Sequence, residues 1–232
     1  MDLTPIRVIA HILRHHGVSM CVTGELALNY YNVPRDLEIC VPKSSSLAAA
    51  GLLCSTGLFE PCQLDQDFNN YTEYKRGLPR VRTTGWANPP QAVVIFAASL
   101  YGLDPIDKAI IQPVSGRTNH ISKEISHLQR QGITGLPLPR LAVFLKGLAQ
   151  RYLDLGDDMA MIAVEQLVDG MNLDDAWARR NLAGLSPALV ALVMKQISSK
   201  ASRIDYVSEN KVTCFIGDQK EADDVRLIPG FE

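Results

Sequence analysis

Residues 22–41 read VTGELALNYYNVPRDLEICV and predict a strand, a glycine turn, a short helix, a proline-arginine turn and a second strand. An apolar run from Val18 to Val22 predicts the first strand, which Gly24 ends. Pro34 ends the helix, because proline has no N–H and its ring clashes with the preceding turn. Apolar residues alternate with polar or small ones over residues 36–41, which is the pattern of a second strand.

Two carboxylates lie two residues apart on this second strand. Asp36 and Glu38 project from the same face, because the side chains of a strand alternate between its two faces. Hard divalent cations prefer oxygen ligands, and a pair of metal ions stabilises a phosphoryl group from both sides. The spacing therefore predicts a Mg²⁺ site at Asp36 and Glu38.

The Gly24 turn followed by Asp36-Leu37-Glu38 resembles the signature of the DNA-polymerase-β-type nucleotidyltransferase fold. The segments Gly24-Glu-Leu-Ala-Leu and Val33-Pro34-Arg35 are similar to its minimal nucleotidyltransferase-like branch, which includes many fungal proteins. The close resemblance covers residues 18–42. It implies an α/β N-terminal half with a small mixed sheet, an all-helical C-terminal half and a cleft between them.

The resemblance also implies a chemistry. A nucleotidyl group would pass from a nucleoside triphosphate to an acceptor hydroxyl, with Mg²⁺ held by Asp36 and Glu38. The backbone of Gly24 would position phosphate, and Arg35 or Lys43 would neutralise its charge.

Two departures from the family pattern leave other functions open. Glu25 stands where the family has glycine or serine, and the third carboxylate of the family is absent from the apolar strand predicted at Ala92–Ala97. A second hypothesis is therefore a repurposed fold that binds tRNA or aminoacyl-tRNA and transfers an acyl group in fungal secondary metabolism, with Glu25, Glu38 or His120 as general base. A third hypothesis is a pseudoenzyme without catalytic activity that binds a protein partner.

The densest positive run of the chain follows a polar stretch. Residues 59–74 predict a loop that ends in a short strand near Tyr71–Tyr74. The basic residues after it are Lys75, Arg76, Arg80 and Arg82. Arginine and lysine suit phosphate, so this run is predicted either to contact a nucleotide or RNA beside the carboxylates or to form a solvated loop.

Three regions are predicted: an α/β domain over residues 1–132, a helical domain over 137–205 and a tail over 206–232 with a short strand at Val212–Ile216. The helix Pro139–Leu155 is amphipathic, and its polar face carries Arg140, Lys146 and Arg151 on the opposite wall of the cleft. Asp157 and Asp158 are predicted to cap the following helix, and Asn172 the one after it.

Composition restricts the class of protein. The 232 residues are 47% hydrophobic and 21% charged, with a formal net charge of −2. This balance argues against general coating of nucleic acid, which needs a basic surplus. No window is apolar enough to span a membrane, and five cysteines without Cys-x-x-Cys spacing predict reduced thiols in a cytoplasmic protein. The sequence leaves the oligomeric state open.

Overall fold

The chain is described by a computed structural model that covers residues 3–30, 37–64, 73–112, 120–126, 133, 135–205, 207 and 209–232, without the side chains of residues 25, 29, 37 and 124. The predicted site residues Arg35 and Asp36 and the side chain of Glu25 therefore lie outside the described residues.

The described strands form one mixed sheet of five in the spatial order β1-β2-β5-β4-β3. They are β1 (Cys21–Thr23), β2 (Leu37–Val41), β3 (Phe59–Pro61), β4 (Arg80–Thr83) and β5 (Ala92–Ala97). β2 and β5 are parallel, and the other neighbouring pairs are antiparallel. The predicted α/β class with a small mixed sheet is confirmed, and β5 is the central strand, as its apolar run predicts.

Three strand predictions need correction. The first strand is shifted towards Gly24, to Cys21–Thr23. The loop predicted from residue 59 begins instead with β3, whose backbone partner β4 lies about twenty residues later and leaves no local pattern. The strand predicted near Tyr71–Tyr74 falls partly outside the described residues, and its described end is a 3₁₀ turn, Glu73–Lys75.

Helices pack on the sheet and then follow it in the chain. The N-terminal half contains α1 (Thr4–His15), α2 (Gly24–Tyr30), α3 (Ser46–Ser55) and α4 (Ile106–Ala109). The C-terminal half contains α5 (Leu141–Leu155), α6 (Asp158–Gly170), α7 (Asp175–Asn181), α8 (Pro187–Ser198) and α9 (Gln219–Val225). The predicted helical C-terminal half is confirmed.

Two of the predicted helix caps, at the starts of α6 and α7, lie beside the candidate site or the C-terminal tail. The side chain of Asp157 accepts hydrogen bonds from the backbone N–H groups of Met159 and Ala160, so the predicted cap of α6 is confirmed. The cap of α7 is Asp174 and not Asn172, because the Asp174 carboxylate reaches the N–H of Trp177 at 2.7 Å.

The C-terminal tail packs against three other elements. The strand predicted at Val212–Ile216 is wrong: Val212 N–H donates to the carbonyl of Ile216 and closes a turn. The last residues accept hydrogen bonds through their backbone carbonyls. These bonds are Tyr30 Oη to Pro229, Leu141 N to Gly230 and Trp177 Nε1 to Phe231.

The sheet and the helices share one cluster of buried side chains. Gly147 on α5 permits a close contact between the two halves, since a Cβ built there would lie 1.6 Å from the carbonyl oxygen of Tyr101. Whether residues 1–132 and 137–205 form separate domains stays a prediction. No helix in the described part of the chain is long and apolar enough to cross a membrane.

Candidate ligand-binding cavity

Glu38 is a buried carboxylate on β2, with 2% of its surface exposed. Its Oε1 accepts a hydrogen bond from Tyr74 Oη at 2.6 Å and lies 3.0 Å from Lys75 Nζ. Its Oε2 accepts a hydrogen bond from Tyr101 Oη at 3.2 Å. A buried charge is tolerated only when it is paired and hydrogen-bonded, and Glu38 meets both conditions.

Two turns supply the groups around Glu38. Tyr74 and Lys75 lie on the 3₁₀ turn Glu73–Lys75, and Tyr101 ends a 3₁₀ helix that follows β5, the neighbour of β2 in the sheet. Burial and the negative charge of Glu38 raise the pKa of Tyr101 well above its ordinary value. The hydroxyl of Tyr101 therefore keeps its proton and donates to the carboxylate.

Arg151 on α5 forms the opposite wall. Its Nε donates to Asp157 Oδ2 at 2.5 Å, and its Cζ lies 5.0 Å from the centroid of the Tyr101 ring and 5.7 Å from that of the Tyr74 ring. A guanidinium over aromatic faces is attracted by the ring quadrupole. Asp157 thus has two roles, because it orients Arg151 and also caps α6.

One hydrogen-bonding nitrogen of Arg151 has no partner among the described residues. The Arg151 side chain is 9% exposed, and its Nη1 is buried with no hydrogen-bond partner among the described residues. A buried donor without a partner costs about 1–3 kcal/mol.

These groups surround a cavity of about 310 Å³ between the sheet and the helices. Ligand pockets typically range from about 300 to 1,000 Å³, so this one suits a compact molecule. Among the described residues, two cations and two carboxylates line it, and the rest of this described lining is largely apolar or aromatic. The described lining residues are Gly24, Leu28, Glu38, Tyr74, Lys75, Tyr101, Phe144, Leu148, Arg151, Asp157, Met159, Ala160 and Ala163.

The structure brings some of the predicted site residues together. Gly24, Glu38 and Lys75 all line this cavity, and so does Arg151 of the predicted opposite wall. His120, Arg140 and Lys146 are not part of its described lining.

The remaining predicted basic residues lie elsewhere and are also absent from the described lining. Arg76 pairs with Glu73 at 2.6 Å, and Arg82 pairs with Glu60 at 2.5 Å. Lys43 is exposed. Arg80 faces the same side of the sheet as Glu38, two strands away, because both residues pair with Val94.

The described groups do not fit a magnesium ion. Three donors already occupy the carboxylate oxygens of Glu38, and its partners across the sheet are Thr23 and Val94, neither of them a carboxylate. No group of three or more potential ligands among His, Cys, Asp and Glu occurs in the described ranges. Asp36 lies outside those ranges, so the Mg²⁺ site stays a prediction.

Sequence reasoning missed the aromatic part of the site. Tyr74 and Tyr101 are 36 and 63 residues from Glu38 in the chain, and both lie in turns without strand or helix periodicity. A tyrosine directly after a buried central strand is a weak signal for Tyr101. Asp157 was predicted as a helix cap, but not as the partner of Arg151.

Comparisons with known proteins give the following findings. No protein-family model matches the chain, and no curated protein matches it. Among solved structures, it is similar to an antigenic nucleotidyltransferase-like protein from Paracoccidioides brasiliensis, with 12% identity, a TM-score of 0.47 and coverage of 86% of this chain and 88% of that chain. It is also similar to the antibiotic-resistance factor ANT(2'')-Ia, with 9% identity, a TM-score of 0.39 and coverage of 88% and 94%.

The first neighbour carries the name of the family that the sequence resembles. Both TM-scores are below 0.5, and the function proposed below depends on the residues of the cavity and not on these likenesses.

Proposed function

We propose that this protein binds a small ligand in the cavity between its sheet and its helices. The observation that carries the proposal is the buried Nη1 of Arg151, which has no partner among the described residues. A ligand that brings a hydrogen-bond acceptor to this donor relieves the cost of burying it.

The lining indicates the shape of the ligand. Leu28, Phe144, Leu148 and Met159 offer an apolar surface beside the guanidinium of Arg151. Ligand sites are mostly apolar, and a few well-placed polar groups fix the orientation of the ligand. The ligand is therefore an apolar or aromatic body with a compact acceptor group at one end.

The charges of the lining restrict that acceptor group. Lys75 and Arg151 are balanced by Glu38 and Asp157, so the described wall carries no surplus of positive charge. A triphosphate brings several negative charges, which these balanced pairs do not compensate. A carboxylate or a carbonyl, with one negative charge or none, fits better.

Metal-dependent nucleotidyl transfer is the second candidate. The observation in its favour is that Gly24 and Glu38, which the family resemblance names, line the same cavity. Nucleotidyl transfer requires a divalent cation and a nucleoside triphosphate. The ion pair between Lys75 and Glu38 disfavours the binding of both. Binding of tRNA with acyl transfer and binding of a protein partner stay predictions, since no described contact favours either.

Three aromatic probes of similar shape test the binding proposal. Benzoate carries a charged acceptor, benzamide a neutral one, and benzylammonium a cation that can only donate hydrogen bonds. Calorimetric titration is expected to rank benzoate first and benzylammonium last. Arg151→Met should weaken benzoate binding at least tenfold. Arg179→Met, at an exposed arginine on α7, is the control and should leave it unchanged.

A separate titration with ATP distinguishes the two candidates. Heat or product formation that depends on Mg²⁺ would favour nucleotidyl transfer. Equal affinity of the wild type and Arg151→Met for benzoate would overturn the binding proposal.

A further inference from the structure

The cation that faces Glu38 is a side chain of the protein itself. Lys75 Nζ lies 3.0 Å from Oε1, and the two side chains are 6% and 3% exposed. The same ammonium lies 5.3 Å from the centroid of the Tyr74 ring, which also stabilises a positive charge. The ammonium is therefore held from two sides in a buried position.

The remaining lone pairs of Glu38 are largely used as well. A carboxylate offers about four lone-pair sites, and three protein donors contact this one. Both phenols approach from turns that the packing of the core fixes, since Tyr74 stacks on Phe96 and Tyr101 contacts the same ring edge-on.

We propose that Lys75 takes the place of a divalent cation at Glu38 and that the cavity binds its ligand without a metal ion. Lys75 is thus the residue that excludes metal from this site. The exclusion of metal depends only on the contacts of Glu38, whereas ligand binding without a metal ion rests on the function proposed above.

Charge and coordination chemistry both lead to this exclusion. A divalent ion at Glu38 would lie next to a buried ammonium, and like charges repel strongly where water does not screen them. Mg²⁺ also requires near-octahedral oxygen ligands. The neighbours of Glu38 on its sheet face, Thr23 and Val94, supply no further carboxylate.

Titration with Mn²⁺ measures the exclusion directly. This ion is paramagnetic and broadens the NMR signals of nearby protons. The hydroxyl groups of Tyr74 and Tyr101 donate to Glu38, so selectively labelled tyrosine ring signals report any ion bound there. In the wild type we expect no saturable broadening of these two signals at millimolar Mn²⁺.

Removing the ammonium of Lys75 should make the carboxylate of Glu38 available to a metal ion. Lys75→Met is expected to gain saturable Mn²⁺ broadening at Tyr74 and Tyr101, at least tenfold above the wild type, and the double variant with Glu38→Gln should lose the gain. Arg76→Met is the matched control, because this neighbouring cation pairs with Glu73 and does not line the cavity. It should behave as the wild type.

Each result decides the proposal. Saturable broadening in the wild type would overturn it, and so would a folded Lys75→Met variant that gains none. If Lys75→Met does not fold, the titration of the wild type still decides between a metal site and its exclusion. The affinity for benzoate should be equal in EDTA and in Mg²⁺. Absence of benzoate binding would contradict the proposed ligand binding, but it would not affect the result of the Mn²⁺ titration.

Discussion

Two buried carboxylates, Glu38 in the cavity and Asp169 on α6, are held by very different surroundings. Asp169 forms a bidentate ion pair with Arg203, with both N–O distances at 2.7 Å, and its Oδ2 also accepts from the Cys214 thiol at 3.2 Å. The guanidinium of Arg203 donates in turn to Gln196 and Ser199. Each of these contacts is with another group of the protein.

The cluster at Glu38 differs in what lies beside it. Arg151, which faces the same two tyrosines, keeps a buried donor without a partner among the described residues, and the space next to it is a cavity. The cluster at Asp169 joins α6 to α8 and to the C-terminal tail through bonds that are already complete. A satisfied buried ion pair therefore holds the fold together, whereas a buried donor without a partner beside a cavity indicates a ligand.

The largest effect on stability is expected at Asp169. Asp169→Ala removes the two carboxylate oxygens that accept from Arg203, and breaking a buried ion pair typically costs about 3–5 kcal/mol. Urea unfolding of the variant and the wild type measures the difference. Asp154→Ala on the exposed side of α5 is the control and should change the free energy of unfolding by less than about 0.5 kcal/mol. A loss of stability in Asp169→Ala as small as that of the control would contradict a structural role for Asp169.

Gly147→Ala tests how the cavity is built. The new methyl group would collide with the Tyr101 carbonyl, so α5 and the turn that carries Tyr101 must separate. Overpacking of this kind costs about 1–3 kcal/mol, and benzoate binding should weaken because Tyr101 and Arg151 no longer meet. Gly51→Ala on α3, where nothing lies within 4 Å of the added carbon, should instead raise stability by about 0.5–1 kcal/mol. Similar results at both glycines would refute the close contact.

Features that depend on local pattern were accessible from the sequence. The alternation of residues 37–41 and the apolar run of Ala92–Ala97 predicted the two strands at the centre of the sheet, and the period of α5 predicted that helix. Asp157 before an apolar helical run predicted a cap for α6. These signals act within a few residues, so one sequence is sufficient to find them.

Contacts between distant segments could not be predicted from the sequence. Helical periodicity placed Arg151 on a polar face, yet the rings of Tyr74 and Tyr101 bury it. Lys75 lies beside the carboxylate, as one interpretation of the basic run predicts, but its ion pair with Glu38 was not predicted. Both facts depend on how the turns pack on the sheet, which no local pattern encodes.

Tyr101→Phe is expected to have a smaller effect than either substitution above. It removes the hydroxyl that donates to Glu38 Oε2 but keeps the ring against Phe96 and Arg151. A hydrogen bond to a charged group contributes about 1.5–3 kcal/mol, and the long distance of 3.2 Å places this one at the low end of that range. The loss is measured as the shift in the urea midpoint at constant slope. Tyr152→Phe on α5 is the control outside the Glu38 cluster. A variant as stable as the wild type would mean that the bond at 3.2 Å contributes nothing.

At neutral pH the smallest expected effect lies at Cys214, within the cluster of Asp169, and it takes the form of a pH dependence that grows above neutral pH. Burial, and then the hydrogen bond to Asp169 and its charge, raise the pKa of Cys214 to about 12. An unfolded cysteine titrates near a pKa of about 8.5, so between these values the unfolded state binds fewer protons than the folded state, and stability falls as pH rises. Cys214→Ala lacks this titration, whereas the buried thiols of Cys21 and Cys40 are present in both proteins and cancel. The stability of the wild type relative to Cys214→Ala should therefore decrease steadily in urea unfolding at pH 7.5, 9 and 10. A constant difference would show that the thiol loses its proton as easily in the folded protein as in the unfolded chain, and that the contact with Asp169 is not maintained in solution.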